Sequence, residues 1–162
     1  MTLQKPTLHL LCGKVAAGKS TLAAQLASAD RTVLITEDEW LAALFANELQ
    51  KPKDYLHCMT KLRAAMEPHI VALLKIGTSV VLDFQANTVG SRAWMRRLLD
   101  QTEADHQLHV LMPPDDVCLE RLRVRNASGL HPFTVTEEQF HQIAAHFNPP
   151  SEEEGFNLVF HQ

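Results

Sequence analysis

Strand-like and helix-like segments alternate along this chain, and the alternation predicts a three-layer α/β fold: a parallel sheet with helices on both faces. Three observations carry that expectation. Short runs rich in Val, Ile and Leu recur at 8–12, 32–35, 80–82 and 108–112, and could form buried strands. Helical spacing or helix-start chemistry follows each of the first three runs and recurs after the fourth. Alternation of this kind implies parallel pairing through right-handed crossovers.

The elements follow in order. Leu8-His9-Leu10-Leu11-Cys12 reads as a buried strand, Gly13 to Ser20 as a loop, and Thr21 to Ser28 as an Ala-rich helix. Thr32 to Ile35 is a short β-branched strand. Thr36-Glu37-Asp38-Glu39 has the spacing of a capping box, with Thr36 as N-cap, Glu39 reaching back, and Ile35 and Trp40 as a hydrophobic staple. It predicts a helix from about Glu37 to Ala46. Met59, Leu62, Met66, Ile70 and Leu73 recur at helical spacing over 59–76, and Pro68 is expected to kink or restart that helix.

Val80-Val81-Leu82 makes a third strand that ends in the carboxylate of Asp83. Arg92 to Leu99 is helical, Leu108 to Met112 a fourth strand, Asp115 to Arg125 helical, and Asn126 to Pro132 a loop. Thr136-Glu137-Glu138-Gln139 is a second capping box, stapled by Val135 and Phe140. Phe140, Ile143 and Phe147 stripe the helix it starts, and Asn157 to Phe160 can form a last strand.

Composition narrows the function. The chain has 162 residues, which suits one domain over 1–162, and 46% hydrophobic with 21% charged residues is globular composition. A net charge of −4 argues against general nucleic-acid or membrane-surface binding, both of which need a basic face. It leaves recognition of a single nucleotide or strand end open. Cys12, Cys58 and Cys118 lack CxxC spacing and read as reduced thiols rather than a disulfide frame or zinc site. Met1 to Pro6 has no signal-peptide core, and no apolar run approaches spanning length, so a cytoplasmic protein is expected. Nine histidines invite a metal reading, but His106 and His109 face opposite ways on a strand, and His141 and His146 diverge on a helix. They are read as surface or core residues.

The strongest signal is Gly13-Lys14-Val15-Ala16-Ala17-Gly18-Lys19-Ser20, which fits GxxxxGK[ST] between a strand and a helix. Such a loop turns its N–H groups onto phosphate oxygens, and the helix dipole adds positive potential there. Lys19 is expected to span the β- and γ-phosphates, Ser20 to ligate magnesium, and Thr21 to reach the α-phosphate. An ordinary glycine turn is the alternative, but motif and context together oppose it. A nucleoside triphosphate, ATP, with Mg2+ is the implied ligand pair. No [NT]KxD segment of guanine-specific switches and no LSGGQ-like signature is present, and the chain is short for a ring-forming ATPase.

Gly13 to Ser20, Ile35-Thr36-Glu37-Asp38-Glu39-Trp40 and Arg121-x-x-x-Arg125 together resemble the small P-loop kinases over most of the chain. That superfamily includes gluconate and shikimate kinases, polynucleotide 5′-kinase, chloramphenicol phosphotransferase and zeta-type toxins. The resemblance implies sheet order 2-3-1-4-5 and a mobile lid, here at about 126–135. It implies that Asp38 orients the acceptor hydroxyl, that Asp83 helps hold magnesium through a water, and that Arg121 and Arg125 neutralise the transferring phosphoryl group. Each has a plainer alternative: a helix-start acid for Asp38, a loop-capping acid for Asp83, a solvated basic face for the arginines. Glu37 and Glu39 compete with Asp38. Asn87, Arg92, Arg96 and Arg97 follow the third strand, where this fold often meets the acceptor, or else form an N-cap and a solvated face. The lid resembles that of gluconate kinases in His131-Pro132-Phe133, but Asn126 to Leu130 is inserted, and Gly129 stands where polynucleotide kinases carry an arginine.

The expectation is an ATP-dependent phosphotransferase acting on a hydroxyl of a small molecule or nucleotide, as a monomer or homodimer. An ATPase-type switch or regulator without an acceptor is one alternative. A toxin-like or antibiotic-modifying phosphotransferase is another.

Overall fold

Five strands and six α-helices alternate over residues 4–162, the residues that the computed structural model describes. Met1 to Leu3, within the segment tested above for a signal peptide, lie outside them. The order is β1 (Thr7–Cys12), α1 (Lys19–Ala27), β2 (Thr32–Thr36), α2 (Glu37–Phe45), α3 (Pro52–Lys75), β3 (Ser79–Gln85), α4 (Val89–Asp100), β4 (Asp105–Leu111), α5 (Asp115–Ser128), α6 (Glu137–Ala144) and β5 (Leu158–His161). All pairings are parallel and the sheet order is β2-β3-β1-β4-β5, as the resemblance implied.

Alternate residues of each strand feed opposite faces. Leu8, Leu10, Val80, Leu82, Phe84, Leu108 and Val110 pack with Leu62, Met66 and Ile70 of α3 and Met95 and Leu98 of α4 in the main core. On the other face Leu11 and Val81 meet Ala23 of α1, and Leu111 meets Cys118 and Leu122 of α5 with Phe140 of α6. These are the three layers the alternation predicted.

Several boundaries differ from expectation for identifiable reasons. The long helix starts at Pro52, because proline at the first helical position forfeits no hydrogen bond and the Asp54 carboxylate accepts from Lys51 N–H at 3.0 Å. It also runs unbroken through Pro68, since Ala64, whose carbonyl loses its partner, lies on the solvent side with Pro68. Thr36 is the N-cap of α2 but makes no side-chain cap, and Glu39 does not reach back. Thr36 instead closes β2 beside Asp83, and Glu39 is exposed. The second capping box forms as expected: Thr136 Oγ1 accepts from Gln139 N–H at 3.1 Å, and Gln139 Oε1 accepts from Thr136 N–H at 2.9 Å. The loop expected from Asn126 begins only at Gly129, because α5 continues to Ser128.

Asp83 does not end its strand. Leu10 stands beside Leu82 but Leu11 beside Gln85, so Asp83 and Phe84 form a bulge in β3 near the carboxyl end of its pairing with β1. The Gly13–Ser20 loop leaves β1 just beyond it, at the carboxyl ends of the strands, the usual position for a ligand crevice in an open α/β sheet.

Candidate active site

The Gly13–Ser20 loop is fixed by contacts remote in sequence. Asn87 grips Gly13 from both sides, with Oδ1 accepting from Gly13 N–H at 2.8 Å and Nδ2 donating to Gly13 O at 2.7 Å. A Cβ on Gly13 would lie 2.7 Å from the Leu111 carbonyl oxygen, so no larger residue fits there. Gly18 has φ +103, the left-handed backbone that turns the chain into α1. Asn87 is thus neither an acceptor contact nor an N-cap; Thr88 caps α4, accepting from Ser91 N–H at 3.1 Å. Replacing Asn87 with Ala orphans the buried Gly13 N–H and leaves Gly13 O to Lys19 alone, and we expect a stability loss of about 1–3 kcal/mol with weakened nucleotide binding. Denaturant titration and calorimetry on the variant check this.

Lys19 reaches back over its own loop. Its ammonium donates to Gly13 O and, at 2.8 Å, to Lys14 O. Burial pulls its pKa down to about 8, against the opposing pull of the Asp83, Cys12, Cys118 and Asp38 charges. The charge is therefore costly where it stands and is relieved by an anion in the loop. Lys14 points away, to Asp115 at 2.8 Å. Ser20 Oγ donates to Asp83 Oδ2 at 2.8 Å, and burial raises the Asp83 pKa. Two hard oxygen donors side by side next to a phosphate loop suit magnesium, which binds few protein oxygens and keeps its waters. Among the described residues no set of three His, Cys, Asp or Glu could hold a metal by itself.

Asp38, in the first turn of α2, accepts from the Tyr55 hydroxyl at 3.2 Å, and its Oδ2 lies 3.6 Å from His131 Nε2. Tyr55 meets Phe133 edge-on, with ring centroids 6.1 Å apart. Burial, then the nearby Asp38 and Glu37 charges, push the Tyr55 pKa far above its ordinary value, so it remains a donor. Neither Tyr55 nor His131 was expected to meet Asp38. Glu37 is removed as a competitor: it is 2% exposed and paired with Arg63 at 2.9 Å, under which lies the Trp94 ring. Glu39 has no such company and faces solvent.

Arg121 donates to Ala17 O at 3.2 Å, at the loop itself. Arg125, one turn on, has a buried Nε without a partner, and burial lowers its pKa against the opposing pull of Asp38. Arg121 thus reaches the loop from an exposed position, and Arg125 is half-buried within the electrostatic reach of Asp38. Arg92 and Arg96 do neither of the things expected of them, whereas Arg97 lies on the solvated face that was the alternative. Arg92 is 1% exposed and binds Glu154 at 2.6 and 3.0 Å, and Arg96 donates to Glu154 O, so both clamp the C-terminal segment. Arg97 pairs with Glu67 at the surface.

An open cleft of about 470 Å³ runs from Gly18 and Thr21 past Gln25 and Arg121 to His161 and Gln162 at the end of β5. Nothing in the local sequence of Gln25, His161 or Gln162 marked them, because only the parallel order β1-β4-β5 brings them to the loop.

With this geometry in view, comparison with known proteins is informative. A family model described as an AAA domain matches residues 8–150. A comparison with curated proteins finds no match. Among solved structures, a candidate kinase from Chloroflexus aurantiacus j-10-fl superposes with TM-score 0.77 at 19% identity, over 98% of this chain and 86% of that one. Chaetomium thermophilum Kti12 in complex with ADP-AlF3 gives 0.71 at 14% identity, over 95% and 88%. A gluconokinase from Sinorhizobium meliloti 1021 gives 0.61 at 15% identity, over 99% and 84%. At these identities the likeness is one of fold. Among the described residues no helix is long and apolar enough to cross a membrane.

Proposed function

The chain belongs to the AAA domain family and has the fold of the small P-loop kinases, and from that premise we propose that it is a phosphotransferase that moves the γ-phosphate of ATP to a hydroxyl of a small molecule or nucleotide. The observation that carries the reading is Asp38. Its carboxylate stands outside the phosphate loop, within the electrostatic reach of Lys19 and Arg125, and accepts from a neutral hydroxyl rather than an arginine. A carboxylate so placed can meet an acceptor hydroxyl and take its proton, whereas Glu37 beside it is buried against Arg63, out of a substrate's reach.

In this reading the loop amides from Gly13 to Ser20 and the start of α1 hold the phosphates, and Lys19 trades its carbonyl partners for phosphate oxygens. The ADP-AlF3 bound to Kti12 supports a nucleotide in a fold of this kind. Ser20 and Asp83 are the residues that would hold magnesium, Asp83 through a water. Bound there, the ion would supply neutralisation of the phosphate charge. Arg121 faces the loop side of the transferring group and Arg125 the acceptor side. Asp38 orients the acceptor hydroxyl and receives its proton as the new phosphoester bond forms and ADP leaves. Tyr55 donates to one carboxylate oxygen, and His131 stands beside the other. The segment from Gly129 to Val135, which carries His131 and Phe133, is the lid over that half-site, and the chain acts as one domain.

Sugars, nucleosides, antibiotics and oligonucleotide ends offered with γ-labelled ATP test the reading. One acceptor class should take up label in a product that ATP alone does not give. ATP consumption that no acceptor alters would favour a switch or regulator instead.

A further inference from the structure

Three histidines from three adjacent strands join into one hydrogen-bonded chain. His9 Nδ1 lies 3.0 Å from His109 Nε2, and His109 Nδ1 lies 2.8 Å from His161 Nε2. The rings of His9 and His109 stack with centroids 5.3 Å apart, and those of His109 and His161 are 5.1 Å apart. The middle ring is 3% exposed, and burial with its two imidazole neighbours holds its pKa down at about 4, so it is neutral near pH 7. His161 also lines the cleft that begins at Gly18 and Thr21. Its Nδ1 has no protein partner among the described residues.

With all three rings uncharged, proton counting allows two arrangements of the chain. A neutral imidazole has one N–H and one bare nitrogen. If His109 donates through Nε2 to His9, it must accept from His161 Nε2–H, and His161 Nδ1 is then bare. If His109 donates through Nδ1 to His161, it must accept from His9 Nδ1–H, and His161 Nδ1 then carries the proton. All three tautomers switch together, because a mixed arrangement sets two N–H groups or two lone pairs against each other inside the protein. The outer nitrogen of His161 is an acceptor in one state and a donor in the other, and His9 Nε2 takes the opposite role.

We propose that His161 is the nucleobase-reading residue of this protein, and that His9 and His109 position it as a tautomer relay through which the cleft accepts both adenine and guanine nucleotides. The proposal rests on the nucleotide-binding reading above. A nucleotide whose phosphates fill the Gly13–Ser20 loop has its nucleoside beside Gly18 and Thr21, in the cleft that ends at His161. Position 6 of the purine is an amino donor in adenine and a carbonyl acceptor in guanine. A side chain of fixed hydrogen-bonding sense satisfies one and leaves the other unpaired, which discriminates by roughly fivefold to a hundredfold. The relay turns His161 Nδ1 to match either base, and no buried group along it is left unpaired.

Titration of the full chain with ADP and with GDP, combined with 15N NMR of labelled histidine, tests this, because 15N shifts distinguish protonated from bare ring nitrogens. The expected result is affinity for the two nucleotides within about fivefold, with His161 Nδ1 bare in the ADP complex and protonated in the GDP complex, and with His9 reversing in step. In His109→Leu the His9 signals should no longer depend on which nucleotide is bound. Stronger discrimination, or the same His161 tautomer in both complexes, overturns the proposal. A change at His161 that His9 does not follow overturns the relay. If neither nucleotide binds, the nucleotide reading itself fails and the relay falls with it. The wild-type comparison stands even if the variant does not fold.

Discussion

With Lys19 replaced by Ala, turnover is lost and ATP affinity falls by about 1.5–3 kcal/mol, the worth of a hydrogen bond to a charged group. Lys19 is already poised over the loop, held by the Gly13 and Lys14 carbonyls. Because burial lowers its pKa from 10.5 to about 8, the ligand-free protein loses this charge as pH rises through about 8. An anion in the loop restores it, so ATP binding should weaken from pH 7 to pH 9 in the wild type, and the Ala variant should lack that component. The sign for stability is opposite. Between about 8 and 10.5 the unfolded chain holds a proton here that the folded one has released, so this group makes stability rise with pH in that window. Calorimetric titration at several pH values measures the binding arm, and denaturant melts of the apo protein the other. Unchanged turnover in the variant would remove the phosphate-loop assignment.

Asp38→Asn is expected to separate chemistry from binding. The amide keeps the size and can still accept from Tyr55, but it cannot take a proton. Transfer should fall by about 10²–10⁴-fold, the usual cost of losing a general base. ATP affinity should hold or rise slightly, since a negative charge near the γ-phosphate is gone. Slow leakage to water can persist, because it needs no aligned acceptor. If the variant binds ATP poorly yet transfers normally per bound ATP, Asp38 is a nucleotide or magnesium ligand. If neither property changes, Asp38 is only a helix-start acid.

The parts of the fold and site that were legible in the sequence are those written in short segments. The GxxxxGKS loop is contiguous, and the alternation of strands and helices is a pattern of neighbours, so the layers emerge from them, while the sheet order came from the family resemblance. What escaped was set by partners distant in the chain. The capping box at Thr36 looked complete, but Thr36 belongs to the β2–β3 ladder and Glu39 turns to solvent, so tertiary pairing outweighed the local signal. Asn87 meets Gly13 only because β3 lies beside β1. His9, His109 and His161 look unrelated in sequence and become adjacent only in the order β1-β4-β5. Tyr55 and His131 reach Asp38 from α3 and from the segment after α5. Arg92 resembled a solvated helix residue because its partner, Glu154, is remote in sequence.

The central claim is transfer to an organic hydroxyl rather than to water, and product stoichiometry with the acceptor identified by screening tests it most directly. ADP, inorganic phosphate and phosphoester are counted together, for wild type and for Asp38→Asn. The account predicts one phosphoester for each ADP in the wild type with little free phosphate, and a collapse of the phosphoester in the variant while residual ADP is matched by free phosphate. Equal amounts of ADP and inorganic phosphate in the wild type, whatever acceptor is present, would contradict it.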